Sequence, residues 1–258
     1  MRFFDSHTHL NSPVFEKDCD TVWEESRQSG VESAIVVGYD LDSSERAIEL
    51  CRRLAGTYAA VGVSPHDSVT APADYLDRIR SLAQDSAVVA VGEIGLEYHH
   101  RIGRHDIQRK LFQEQIALAN ELDLPVIIHS RECENDLVAI LTEQKPRRGV
   151  LHCYTGSLEA MAIAVELGLH ISFSGIVTFS KDKSLRQCVE NTPADRLLIE
   201  TDCPYLAPSP HRGKRCVPQY LIHTAESVAA IRHIASCVVA DSTFQNALNL
   251  FGIPMRCF

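Results

Sequence analysis

His7 and His9 stand one residue apart, just after the apolar pair Phe3-Phe4. In extended backbone, side chains at i and i+2 point to the same face. The two imidazoles would therefore project together from a strand end as a ligand pair for a divalent metal. Four more residues of ligand type, Glu93, His129, His152 and Asp202, stand at the ends of later apolar runs. Six such donors are too many for one tetrahedral zinc and suit two divalent ions that share a bridging carboxylate. Glu93 is the natural bridge, because its strand lies between the two groups of histidines. Such a pair of ions would polarise a phosphoryl or carbonyl oxygen and lower the pKa of a bound water. Asp202 could ligate one ion and accept the proton of the attacking water.

These residues need a scaffold that brings distant strand ends to one rim. After the first strand, short apolar runs rich in β-branched residues recur at 32–38, 58–63, 87–91, 125–128, 149–151, 170–173 and 197–199, and read as strands. Amphipathic stretches at 13–30, 42–54, 72–84, 106–122, 134–143, 158–167, 181–191, 218–237 and 241–250 read as helices. Asp42, with Glu45 three residues on, offers helix-start chemistry for the second of them. Eight strand–helix units without hairpin signals predict a parallel sheet closed into a (β/α)8 TIM barrel. No G-x-G-x-x-G follows the first strand, which disfavours an open dinucleotide-binding sheet. In such a barrel the active site lies at the C-terminal ends of the strands, where the six donors fall.

The chain has 258 residues, 45% hydrophobic and 23% charged, with a formal net charge of −9. This composition predicts a globular protein, and a barrel of this length is a single domain, 1–258. The acidic balance excludes a broadly basic duplex-coating protein. It is compatible with a nucleic acid held locally by metal ions and a few cations. Nine cysteines, at 19, 51, 133, 153, 188, 203, 216, 237 and 257, form no C-x-x-C pair. They predict free thiols in a reducing compartment rather than a disulfide framework. Neither a signal peptide nor an apolar run of membrane-spanning length is read, so a cytoplasmic protein without a membrane partner is expected.

Several motifs carry a resemblance over essentially the whole chain: His7-Thr8-His9, Gly92-Glu93-Ile94-Gly95-Leu96 and Pro125-Val126-Ile127-Ile128-His129-Ser130-Arg131. They continue with His152-Cys153-Tyr154-Thr155-Gly156, Glu200-Thr201-Asp202-Cys203-Pro204-Tyr205-Leu206-Ala207-Pro208 and Pro210-His211-Arg212-Gly213-Lys214-Arg215, and end with Asn246-Ala247 and Leu250-Phe251. In these the sequence resembles the TatD family of metal-dependent deoxyribonucleases, within the amidohydrolase-like superfamily. The resemblance implies a (β/α)8 fold and a phosphodiesterase, often a 3′→5′ exonuclease on single-stranded DNA or RNA. It implies two divalent ions (Mg2+, Mn2+ or Zn2+), one held by His7, His9 and Asp202, the other by His129 and His152, with Glu93 between them. Arg212, with Lys214 or Arg215, would face substrate phosphate, and His66 would contact substrate from the mouth of the third strand.

Two positions depart from the family pattern. Glu97 stands where the family usually has Asp, which lengthens a carboxylate near the site by one methylene. Cys216-Val217-Pro218 stands where many members have Asn-Glu-Pro. His99, His100 and His105 are expected in a solvated loop, and Cys153 and Cys203 are expected to point away from the ligands beside them. Phe179 and Tyr205 could stack on bases. A C–N or ester hydrolase acting on a small molecule is the alternative activity, although many such relatives bridge their metals with a modified lysine where this chain has Glu93. A non-catalytic metal-binding protein is the third possibility, and the complete ligand set counts against it.

Overall fold

The computed structural model describes residues 1–100 and 104–254. Eight strands form one parallel sheet in chain order: β1 (Phe3–Thr8), β2 (Val31–Val37), β3 (Thr57–Val61), β4 (Val88–Glu97), β5 (Val126–Arg131), β6 (Gly149–Leu151), β7 (His170–Phe173) and β8 (Leu197–Ile199). The helices are α1 (Cys19–Gln28), α2 (Leu41–Arg53), α3 (Tyr75–Leu82), α4 (His105–Leu122), α5 (Glu134–Gln144), α6 (Leu158–Glu166), α7 (Lys183–Asn191), α8 (Leu221–Arg232) and α9 (Ser236–Phe251). The chain just past β8 returns to β1, where Asp202 N–H donates to the His7 carbonyl at 3.0 Å and His9 N–H to the Cys203 carbonyl at 2.8 Å. Deeper in the seam, Ser6 Oγ donates to the Ile199 carbonyl at 3.0 Å. The expected (β/α)8 barrel is therefore the fold.

Strand periodicity splits the apolar residues into two layers. Ile35 and Val37 of β2 join Phe4, Ile127, Val150 and Leu198 inside the barrel, whereas Ala34 and Val36 pack outward with the helices. The interior needs a floor, and α9 supplies it with Phe244, Leu248 and Phe251. Phe4 stacks on Phe251 at 6.1 Å and meets Phe244 edge-on at 6.0 Å. Burying each such ring contributes about 2–3 kcal/mol. No helix among the described residues is long and apolar enough to cross a membrane.

The expected elements exist, but several boundaries move. The stretch 13–30 is a 3-10 turn at Pro13–Phe15 followed by α1, and Gly30 beyond it takes φ +96°. Asp40, not Asp42, caps α2: it accepts from Ser43 N–H at 2.6 Å while Ser43 Oγ accepts from Asp40 N–H at 2.8 Å, so Ser43 rather than Glu45 completes the capping box. The helix expected over 218–237 is a 3-10 turn, then α8, stopped by His233 in the left-handed region at φ 56°, and α9 starts at Ser236. β4 does not stop at 91 but runs on to Glu97, paired with β5 through Gly95–His129 and Glu97–Arg131. The eight described cysteines are free thiols, as expected. Cys257 lies outside the described residues.

Candidate metal centre

The donors sit within or just past the C-terminal halves of the strands. His7 and His9, at the end of β1, bring their Nε2 atoms within 3.1 Å of each other, so the shared face expected from their spacing is realised. Glu93 and His129 lie on the adjacent strands β4 and β5, His152 directly follows β6, and Asp202 follows β8. Close approach of β4 to β5 depends on Gly95, whose φ is +136° and whose added Cβ would fall 2.0 Å from the His129 carbonyl oxygen. Only glycine suits that position.

The donor atoms form two groups joined by Glu93. Its Oε2 is 4.0 Å from His7 Nε2 and 3.8 Å from His9 Nε2, and Asp202 Oδ1 faces the same two nitrogens at 3.8 and 3.5 Å. Its Oε1 is 2.9 Å from His129 Nδ1 and 3.1 Å from His152 Nε2, which are themselves 3.3 Å apart. Donors around a tetrahedral zinc at ordinary bond lengths are separated by about 3.3 Å. Either group could thus close on a divalent ion with small side-chain shifts.

Further residues fix which ring nitrogen faces the centre. His9 Nδ1 is 3.0 Å from the Val37 carbonyl, His152 Nδ1 is 3.2 Å from Glu200 Oε1, and His129 Nε2 is 3.1 Å from Glu97 Oε2. Each of these partners takes the N–H and leaves the other nitrogen free to ligate. His7 Nδ1 is buried without a hydrogen-bond partner among the described residues, and its ring stacks on His152 at 3.9 Å. Glu97 and Glu200 are the residues that sequence reasoning did not give this work. Glu200 stands two residues before Asp202, the same i, i+2 relation that singled out the histidine pair.

Electrostatics test whether the group of donors fits a cation. Burial opposes ionisation of Glu93, yet the His152 and His129 imidazoles hold its carboxyl well below the usual range. Burial likewise opposes charge on His152 and His129, but Glu200 and Glu93 hold the first well above its ordinary value and Glu93 and Glu97 raise the second. In the other group burial prevails. It lowers His7, with help from His152 and His9, lowers His9, and pushes Asp202 up to about 8. A buried carboxylate beside two imidazoles that resist protonation lacks a counter-charge, and a divalent cation would supply it. The residues present fit the metal that the donor set implies.

A cavity of about 760 Å³ opens over the centre. It is lined by His9, Glu93, His129, His152 and Asp202 and also by His66, His100, Arg131, Phe179, Tyr205 and Arg212. Arg212 lays its guanidinium over the Phe179 ring at 3.6 Å. Arg215 is engaged elsewhere: it grips Asp18 through two nitrogens at 3.0 and 2.6 Å and donates to the Val14 carbonyl at 3.0 Å. Lys214 is exposed and outside the cavity lining. Of the three expected cations, then, the structure brings only Arg212 to the cavity. Cys203 is buried away from it, but Cys153 is on its wall, because a φ of 44° breaks the strand alternation that would have turned it outward. His99, paired with Glu132, and His100 are exposed in the turn after β4 as expected, with His100 also lining the cavity, whereas His105 opens α4 and stacks on Tyr98 at 3.7 Å.

Known proteins match this chain over nearly its whole length. A family model described as TatD related DNase matches residues 4–252. A Bacillus subtilis protein named as an uncharacterized metal-dependent hydrolase, YabD, is 40% identical over 252 residues, covering 97% of this chain and 99% of its own. An Enterobacter lignolyticus protein named 3′-5′ ssDNA/RNA exonuclease TatD is 35% identical over 98% of this chain and 100% of its own. The crystal structure of YjjV, a TatD homologue from Escherichia coli, superposes with a TM-score of 0.92 at 30% identity, over 98% of this chain and 99% of that one. The chain belongs to the TatD-related DNase family and is a metal-dependent hydrolase.

Proposed function

We propose that this hydrolase cuts phosphodiester bonds of single-stranded DNA or RNA, working from the 3′ end, with two divalent ions held on either side of Glu93. The observation that carries the reading is Glu93 itself, which presents one oxygen to His7 and His9 and the other to His129 and His152, on a strand that contains no lysine. The name of the Enterobacter lignolyticus relative supports the choice of substrate and polarity. When bound, the ions supply Lewis acidity and lower the pKa of water at the centre.

The chain's own residues do the rest. Glu93 sets the spacing of the two donor groups. Asp202, with His7 and His9 on one side and the cavity on the other, takes the proton of the attacking water. Arg212, held flat by Phe179, directs N–H donors at the phosphate oxygens. Tyr205, 58% exposed at the mouth, offers a face for a base.

The test is cleavage of end-labelled oligonucleotides by protein loaded with Mg2+, Mn2+ or Zn2+. A 5′-labelled single strand should shorten progressively from its 3′ end, and Glu93→Ala and His129→Ala should each slow this by a factor on the order of 10² or more. Cleavage that persists unchanged in both variants, or turnover confined to small-molecule esters and amides, would overturn the proposal.

A further inference from the structure

A second cluster of donors lies on the wall of the same cavity, outside the Glu93 centre. Glu97 is at the C-terminal end of β4, four residues beyond Glu93, and is 1% exposed. Its Oε2 is 3.2 Å from His100 Nδ1 and 3.8 Å from His66 Nε2, and one donor atom from each of the three residues lies within 4.8 Å of the others. We propose that His66, Glu97 and His100 form a third cation site, for a zinc-class divalent ion such as Zn2+, Co2+ or Mn2+. Two imidazoles and one carboxylate are the ligand set of many catalytic zinc sites, which keep a fourth position open. Here the two rings are partly exposed, with side-chain exposures of 37% for His66 and 47% for His100, so the open position faces the cavity.

Hydrogen bonding alone does not account for the cluster. Glu97 Oε2 already faces the His129 Nε2–H at 3.1 Å and the His100 ring at 3.2 Å. His66 directs its Nε2 at the same oxygen from 3.8 Å, beyond hydrogen-bond reach. Among the described residues no hydrogen bond reaches the His66 ring. A cation among the three donors gives the His66 imidazole a partner and neutralises a buried carboxylate. Glu97 is also held ready: its Oε1 accepts from the His100 N–H at 3.1 Å, and its own N–H donates to Gln108 Oε1 at 3.0 Å. Sharing of Glu97 with His129 links this site to the main centre, because an ion on Oε2 would weaken the pull of that carboxylate on the His129 ring. The site itself does not depend on the phosphodiesterase reading. Only its use does, as a hold for a neighbouring phosphate of the chain being cut.

The experiment is metal stoichiometry by elemental analysis of folded protein after equilibrium dialysis against Zn2+, with Co2+ absorption as a second readout. Wild type should hold three ions per chain and show a third step in the Co2+ titration. His100→Ala and His66→Ala, each checked for native circular dichroism and melting, should hold two and lose that step. Two ions in wild type and two in both variants would overturn the proposal. Two ions in wild type falling to one in His100→Ala, but still two in Glu93→Ala, would uphold this site and overturn the Glu93-centred reading instead.

Discussion

The backbone N–H of Asp202 donates to the carbonyl of His7 at 3.0 Å, so the bond that closes the barrel also locks two members of the candidate centre together. Because this link and the neighbouring one from His9 to Cys203 are made by backbone atoms, they survive a change of side chain. Asp202→Asn should therefore melt no lower than wild type while losing the proton acceptor. A drop in kcat of about 10²–10⁴-fold is expected. Turnover within tenfold of wild type would show that the proton goes elsewhere.

The outer partners of the imidazoles can be separated from the donors themselves. Glu200 accepts from His152 Nδ1 at 3.2 Å and is fully buried, so it positions the ring without reaching the cavity. Glu200→Gln keeps the shape and removes the charge. Metal affinity of the Glu93 centre should fall by about 10–100-fold, read by competition with a chromophoric chelator, and excess metal should restore much of the rate. An unchanged affinity would mean that the His152 ring is held by packing alone.

What the sequence disclosed and what it hid follow from the kind of signal each feature leaves. The six donors were legible because ligand-type residues tracked strand ends, and strand ends share a rim in a parallel barrel. Glu97 is expected near the site but not in it, since the apolar run of the fourth strand stops at 91 and the glycines at 92 and 95 follow it. In the structure they belong to it and let two backbones touch, so the strand carries on to deliver Glu97 and then His100. The Val37 carbonyl that orients His9 could not be read at all, because a backbone acceptor has no residue identity. The break between α8 and α9 was hidden for a related reason: His233 takes the left-handed conformation that usually announces itself as glycine.

The two arginines of the loop after β8 should part company under mutation. Arg212 lines the cavity, whereas Arg215 is spent on Asp18 and lies over Phe15 at 4.8 Å. Arg212→Ala should raise KM for oligonucleotides about tenfold or more and leave the melting temperature nearly unchanged. Arg215→Ala should leave kcat/KM within twofold and cost up to about 1 kcal/mol of stability, since its ion pair is partly exposed. A KM effect from Arg215 equal to that from Arg212 would contradict this division.

Acid sensitivity should trace in part to a histidine far from the chemistry. His170 opens β7, is 8% exposed, and has a buried Nδ1 with no hydrogen-bond partner among the described residues. Burial, helped by the Arg196 guanidinium, pushes it down to about 4, against about 6.5 in an unfolded chain. Between these values the unfolded chain binds a proton that the folded chain refuses, so stability rises with pH across the window. The contribution is full above about 6.5 and is lost as pH falls towards 4, up to about 3 kcal/mol in all. In urea unfolding of metal-free protein at pH 7, 5.5 and 4.5, His170→Gln should lose stability less steeply than wild type. The difference between the two curves isolates His170 from the other groups that titrate in the same range. Parallel curves would show that His170 is protonated in the fold without penalty.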